Sequence, residues 1–288
     1  MICSICPRCC NVDRENQLGF CKSKSTFKVA RASLHFWEEP CISGKNGSGT
    51  VFFSGCNLRC AYCQNFEISR DNKGVDITDE RLVEIFESLI EQGAQNINLV
   101  NPTHYADRLS DVLTKWKSPV PVVYNSSGYE EVETLKKLSG LIDIYLPDLK
   151  YIRADKSGRY SKADDYFEKA SAAILEMRRQ VEDVFDDEIM KSGLIVRHLI
   201  LPQNTNSSLE IIDWLKENLP DTYLSLMAQY IPCGALDDLP EINRTITKRE
   251  YDKVVDYALN QGLDRLFIQE LSSADKKFIP PFDFTGVI

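Results

Sequence analysis

Gly55-Cys56-Asn57-Leu58-Arg59-Cys60-Ala61-Tyr62-Cys63-Gln64-Asn65 stands one serine after the β-prone run Thr50-Val51-Phe52-Phe53, and its cysteines are spaced C-x3-C-x2-C. Three thiolates from one short loop suit three irons of a four-iron, four-sulfur cube and leave the fourth iron open to a substrate or cofactor. Iron–sulfur electron carriers instead use four cysteines. A zinc knuckle is one competing reading, but zinc sites want four protein ligands with C-x2-C pairs. Three clustered core cysteines are another, yet core cysteines have no reason to follow a strand inside a turn rich in Gly and Asn.

The rest of the composition bounds the setting of that loop. The 288 residues are 43% hydrophobic and 27% charged, enough apolar material for a sizeable core. A net charge of −9 argues against a nucleic-acid or anionic-membrane surface, which needs neutralising Lys and Arg. No signal peptide opens the chain and no apolar run approaches about 18 residues, so a cytoplasmic protein without a membrane span is expected. Ten cysteines in a reducing compartment point to metal ligation before disulfides.

Residues 1–45 hold six of the ten cysteines and little periodicity, which suggests a small Cys-rich metal-binding module. Residues 46–288 alternate. Thr78 can cap a helix carrying Leu82, Ile85, Phe86, Leu89 and Ile90 on one face, Gly93 ends it, and Asn96 to Val100 reads as a strand. Helices on Leu109, Val112, Leu113, Trp116 and on Val132, Leu135, Leu138 precede strands at 120–124 and 141–146. A polar stretch at 153–165 leads to a long helix at 166–187 and a strand at 194–201. A helix at 208–218, a strand at 223–227, a helix at 247–261 and a strand at 265–268 complete the series. Strands alternating with helices predict an α/β fold with a parallel sheet, an open (β/α)6 partial barrel of TIM-like type. In such a barrel function collects at the C-terminal ends of the strands. Cys56, Asn101, Asn125, Asp148 and Gln229 all fall on that rim.

Further stretches carry a family resemblance over nearly the whole chain. They are Cys-Pro-Arg near the start, Trp37-Glu38-Glu39-Pro40, Phe53-Ser54-Gly55-Cys56-Asn57-Leu58, Gln64-Asn65, Asn101-Pro102-Thr103-His104-Tyr105, Asp148-Leu149-Lys150-Tyr151, Arg197-His198-Leu199 and Met227-Ala228-Gln229-Tyr230. With the cysteine motif they resemble the radical S-adenosylmethionine enzymes, and within them the glycyl-radical activases typified by pyruvate formate-lyase activating enzyme, most closely an uncharacterised activase-like branch.

The resemblance implies a [4Fe-4S] cluster on Cys56, Cys60 and Cys63 that reductively cleaves S-adenosylmethionine to a 5′-deoxyadenosyl radical. The radical then abstracts hydrogen from a protein or peptide substrate. Radical modification of a small metabolite is the rival, and a non-catalytic electron carrier is a third reading. A reductant such as flavodoxin or ferredoxin is implied as partner.

The same resemblance distributes roles along the rim. Tyr62 resembles the aromatic residue beside adenine, although loop packing explains it nearly as well. The family's Gly-Gly-Glu segment is absent, and Asn101, Thr103 and His104 stand in its place. Their oxygens can accept from an ammonium group, with His104 as a positioning residue. Asn125-Ser126-Ser127-Gly128 occupies the place of the ribose-contacting segment, with Asn125 and Ser126 as the candidate contacts, or forms a plain turn with Gly128. Lys150 would meet the methionine carboxylate, with Asp148 near the substrate. Of Arg197 and His198 only one can point inward. His198 is favoured for the pocket and, with Asp148, as catalytic; Arg197 is the carboxylate-binding rival. Cys3, Cys6, Cys10 and Cys21 match the branch's N-terminal pattern and suit a second site, zinc by preference or an auxiliary Fe–S cluster.

Overall fold

A computed structural model describes residues 2–234 and 236–288; Met1, the first residue of the expected module, lies outside them. The chain opens with cysteine-bearing turns and then forms β1 (Phe27–His35), α1 (Pro40–Ser43), β2 (Ser48–Phe53), α2 (Phe66–Ser69) and β3 (Val75–Ile77). Helix and strand then alternate as α3 (Asp79–Glu91), β4 (Ile97–Val100), α4 (Ala106–Lys115), β5 (Val122–Ser126), α5 (Val132–Lys137) and β6 (Ile144–Pro147). After α6 (Ala154–Ser161) and α7 (Tyr166–Gln180) come β7 (Val184–Asp186), β8 (Ile189–Leu199), α8 (Thr205–Asn218), β9 (Tyr223–Met227), α9 (Lys248–Asn260) and β10 (Leu266–Ile268).

The sheet runs β10-β9-β8-β6-β5-β4-β2-β1-β3. Its members from β2 to β10 along that path are parallel, while β1 pairs antiparallel with β2 and β3. Among the described residues no pairing joins β10 to β3, so the barrel is open, as the alternation predicts.

Period-2 alternation divides the strands between two cores. Val51, Leu99, Tyr124, Tyr145, Val196 and Leu226 face the helices. Val123, Ile144, Leu146 and Ile195 line the inner face, where Cys41 and Ile42 of α1 pack on them. The helix layer follows its amphipathic pattern. Thr78 Oγ1 accepts from the Arg81 N–H, Asp79 and Glu80 favour the first turn, and Leu82, Ile85, Phe86 and Leu89 are buried. Among the described residues no helix is long and apolar enough to cross a membrane.

Three local expectations change. Strand β1 begins at Phe27, so the sheet already starts within the stretch expected to form the cysteine module. The polar 153–165 stretch contains α6, a short helix held by buried Ser157, Tyr160 and Ser161. The long helix stops at Gln180 because Asp183 takes the Arg178 guanidinium at 2.7 Å and the Leu194 N–H at 3.2 Å, turning the chain into the β7–β8 hairpin.

Residues 2–26 pack behind the loop that follows β2. Cys21 C=O accepts from Cys56 N–H at 3.3 Å, Ser23 Oγ donates to Ser54 C=O at 3.3 Å, and Arg8 Nε donates to Asn57 C=O at 2.8 Å. Gly55 makes this approach feasible. Its φ is +87°, and a Cβ there would lie 2.0 Å from Ser23 Oγ and 2.7 Å from Cys21 O. Gly55→Ala should cost more than about 1 kcal/mol, read as a lowered denaturant midpoint, with faster proteolysis at residues 20–24 as the segment lifts. Wild-type values for both would show that the contact carries no stability.

Candidate active site

A cavity of about 350 Å³ lies at the C-terminal ends of the strands. Cys56, Cys60, Cys63 and Tyr62 form one wall, Asn101, Asn125, Ser126, Asp148, Lys150 and Arg197 the next. The far side carries His35, Trp37, Gln269 and Phe278.

Each cysteine sulfur is met by a donor. Cys56 Sγ accepts from the N–H groups of Leu58 at 3.3 Å and Arg59 at 3.4 Å, which the positive φ of Arg59 (+51°) aims inward. Ser69 Oγ donates to Cys63 Sγ at 3.3 Å, and Ser161 Oγ to Cys60 Sγ at 3.1 Å. Burial pushes the Cys56 thiol up to about 12, and its neighbour Cys60 adds to the effect. Positive charge from a ligand would favour the Cys56 thiolate.

Beyond the sulfurs lies an ion network that the sequence reading had only in part. Arg197 Nε donates to Asp148 Oδ1 at 3.0 Å, Nη1 to Glu38 Oε2 at 3.2 Å and Nη2 to Asn125 Oδ1 at 2.6 Å. Lys150 Nζ meets Asp148 Oδ2 at 2.5 Å. Burial raises the Asp148 carboxyl, but Lys150 and Arg197 outweigh it and hold the group below the usual carboxylate range. Burial lifts Glu38 above that range despite Arg197.

The structure reassigns several residues. Arg197 lines the cavity, while His198 on the opposite strand face meets Leu149 C=O at 2.7 Å and Ser208 Oγ at 2.8 Å, outside the cavity. Burial pushes His198 down to about 4, a neutral ring between sheet and α8. Asn101 stays on the rim at φ +60°, its amide donating to Gly55 C=O. Thr103 and His104 turn beneath it, away from the cavity. Thr103 Oγ1 donates to Glu130 Oε1 at 2.5 Å, and His104 Nε2 lies 2.8 Å from Ser54 C=O. Burial, with Arg14 adding, pushes His104 down to about 3.

Near the N-terminus, Cys3, Cys6 and Cys21 are close enough for their charges to act on one another. Cys10 Sγ accepts from Phe20 N–H at 3.3 Å. Among the described residues no three His, Cys, Asp or Glu side chains converge as they would around a single metal ion. None of residues 2–26 lines the cavity.

A cluster and its cofactor fit the residues present. The donor set is three soft sulfurs from one loop, already hydrogen-bonded. Asn65 Oδ1 and Ser127 Oγ are buried without a hydrogen-bond partner, and both residues line the cavity. A polar ligand would satisfy them.

Comparison with known proteins agrees with this geometry. The family described as "4Fe-4S single cluster domain" matches residues 42–162. An uncharacterised protein of Methanocaldococcus jannaschii is 30% identical over 275 residues, covering 92% of this chain and 76% of its own length. A second protein of that organism, provisionally named a glycyl-radical enzyme activating enzyme, is 26% identical over 232 residues, 75% of this chain and 91% of its own. Among solved structures, methylornithine synthase shares the fold at TM-score 0.52 and 14% identity, over 74% of this chain and 60% of its own. The FeFe-hydrogenase maturase of Carboxydothermus hydrogenoformans does so at 0.52 and 15%, over 78% and 54%. This chain thus spans less than two thirds of either neighbour. The chain belongs to the radical S-adenosylmethionine superfamily. The family match supports an iron–sulfur cluster.

Sequence reasoning left Glu38, Ser161 and His35 without roles. Glu38 had a signal, since Trp37-Glu38-Glu39-Pro40 belongs to the shared pattern.

Glu130, buried under the rim, generates a test. Burial pushes its carboxyl up to about 7 against hydrogen bonds from Thr103, Ser126 and Tyr124. An acid whose folded pKa exceeds its unfolded value of about 4.3 binds its proton more tightly in the fold. It therefore adds stability as pH falls from about 7 toward that value, and none above. Relative to wild type, Glu130→Gln should gain stability at about pH 8 and lose that advantage by about pH 5. Urea denaturation at both values reads the gap, and a gap independent of pH would show that Glu130 titrates as an ordinary carboxyl.

Proposed function

We propose that this chain is a radical S-adenosylmethionine enzyme that abstracts hydrogen from a protein or peptide, in the manner of a glycyl-radical activase. The observation that carries the reading is that Cys56, Cys60 and Cys63 share one cavity wall and open onto the space edged by Lys150, Arg197, Asn101 and Asn125. An electron carrier needs no such space. Bound there, a four-iron cluster with S-adenosylmethionine supplies reductive cleavage and a 5′-deoxyadenosyl radical for hydrogen abstraction.

The chain's own residues bind and orient. Cys56, Cys60 and Cys63 hold the cluster. Lys150, steadied by Asp148, takes the methionine carboxylate, and Arg197 positions Asp148 and Asn125 from below. Asn125, Ser126 and Ser127 would offer hydroxyl and amide partners to the ribose, and Tyr62 would pack beside the adenine.

Substrate class follows from charge. The charged residues lining the cavity are Glu38, Asp148, Lys150 and Arg197, all paired with one another. The outer wall of His35, Trp37, Gln229, Gln269 and Phe278 is uncharged or neutral, since burial and nearby Arg31 lower the His35 pKa. Such a wall suits an uncharged peptide segment better than an anionic metabolite. Flavodoxin or ferredoxin would supply electrons, and a reducing cytoplasm would keep the thiols free. Cys3, Cys6, Cys10 and Cys21 would have to draw closer together to hold a second metal, zinc or Fe–S, behind the cluster loop, where it would stabilise residues 2–26 or pass electrons.

Anaerobic reconstitution tests both sites together. Cys56, Cys60 and Cys63 all replaced by Ala should remove about four irons per chain and abolish 5′-deoxyadenosine formation, and the metal remaining by elemental analysis identifies the second site. Continued cofactor cleavage by that variant would end the radical reading. Lys150→Ala should weaken S-adenosylmethionine binding about tenfold, since a charge-assisted contact is worth about 1.5–3 kcal/mol. Equilibrium binding at unchanged iron content measures it, and lost iron with intact affinity would make Lys150 a structural residue.

A further inference from the structure

The donors to the three sulfurs differ in what stands behind them. Cys56 is served by backbone N–H groups and Cys63 by Ser69. Behind the donor to Cys60 runs a chain of hydroxyls: Ser161 Oγ lies 2.7 Å from Tyr151 Oη, which lies 2.7 Å from Tyr62 Oη. Ser161, Tyr151 and Tyr62 are 1%, 2% and 5% exposed, so water does not compete along it. A thiolate sulfur only accepts, and each hydroxyl has one proton. Ser161 must therefore donate to Cys60, Tyr151 to Ser161 and Tyr62 to Tyr151, so that the three bonds point one way and polarise one another.

The fold holds this chain from both ends. Ala61 N–H donates to Tyr160 C=O at 2.8 Å, docking the cysteine loop on α6. Arg8 Nη2 donates to Ser161 C=O at 2.9 Å, pinning the last turn of that helix. Tyr62 itself lines the cavity.

We infer that Ser161, backed by Tyr151 and Tyr62, tunes the reduction potential of the cluster through Cys60 and reports cavity occupancy at Tyr62 to the metal. The inference rests on Cys56, Cys60 and Cys63 being its ligands, as proposed above. Hydrogen bonds to cluster sulfurs stabilise the more negative, reduced state and raise the potential. A ligand bonding the Tyr62 hydroxyl changes how strongly Tyr62 donates, and the change is passed along the chain to Cys60.

The experiment is a spectroscopically monitored redox titration of anaerobically reconstituted protein, with and without S-adenosylmethionine. Ser161→Ala should lower the midpoint by the equivalent of about a tenfold change in the reduced-to-oxidised ratio, about 59 mV for one electron. Ser161→Thr should restore it, and Tyr151→Phe should give a smaller shift in the same direction. The shift caused by S-adenosylmethionine should shrink in Tyr62→Phe. Loaded Ser161→Ala and Tyr151→Phe proteins with wild-type midpoints would overturn the tuning, and an undiminished cofactor shift in Tyr62→Phe would overturn the sensing. Should Ser161→Ala fail to take up iron, Tyr151→Phe, which leaves Cys60 and Ser161 in place, decides the matter alone. A triple cysteine variant that keeps its cluster would refute the ligand assignment and this inference with it, whereas a wild-type midpoint in a loaded variant refutes the chain only.

Discussion

The guanidinium of Arg197 is the charge around which the barrel interior is arranged. An unpaired buried cation costs several kcal/mol, and this one is met by Asp148 from beyond β6, Asn125 from β5 and Glu38 from the β1–α1 connection. Three separate segments must therefore reach their native places before Arg197 can be buried. Glu38 is held in turn by the amides of Asn98 and Asn125, each at 3.2 Å. Below this layer the inner face is apolar, with Val123, Ile144, Leu146 and Ile195 closed off by α1. Above it the rim is free for a ligand. The network is the floor on which cavity geometry rests, and Lys150 reaches upward because Asp148 is already held by Arg197.

The open edge of the barrel is handled by the C-terminal segment. From Gln269, whose side chain takes the Ala228 N–H at 3.0 Å, the chain runs on to the part of β1 that lies beyond its pairing with β3. It is refastened where Phe284 N–H donates to Ala30 C=O and Ala32 N–H to Thr285 C=O. Phe282 fills a small core with Ala30, Phe52 and Ile68. The edge of β1, a risk for unwanted strand pairing, is thereby covered. Between these anchors Phe278 reaches the cavity and rests edge-on against Trp37, ring centroids 4.8 Å apart. The uncharged outer wall is thus built where the segment after β10 meets the connection after β1.

Much of this was legible in the sequence because parallel βα units write clear signals. The helix-face spacing of Leu82, Ile85, Phe86 and Leu89 and the β9 boundaries are recovered as expected. What failed did so for physical reasons. Alternation says that Arg197 and His198 face opposite ways, but Leu194, Ile195 and Val196 are apolar on both faces of a parallel strand, and nothing local states which face is inner. Thr103 and His104 are expected on the rim because their segment stands where the resembled family carries Gly-Gly-Glu, yet the left-handed backbone of Asn101 and the short 3₁₀ turn at 103–105 carry them underneath. Strand β1 was hidden because its pairing partners β2 and β3 are non-local. Ser161 and Tyr151, ten residues apart, become neighbours only when α6 folds back.

The placement of residues 2–26 limits what a metal bound there could do. Cys21 and Cys56 are joined through their backbones, and Arg14 reaches through the same layer to His104 C=O. The N-terminal segment is therefore built into the back of the loop that carries the cysteines, on the side away from the cavity. A centre in that position has no path to a substrate except through the loop itself. Any effect of such a centre on chemistry would have to act by holding Gly55 and Cys56 in register or by exchanging electrons across the loop, and both routes would end at the same three sulfurs.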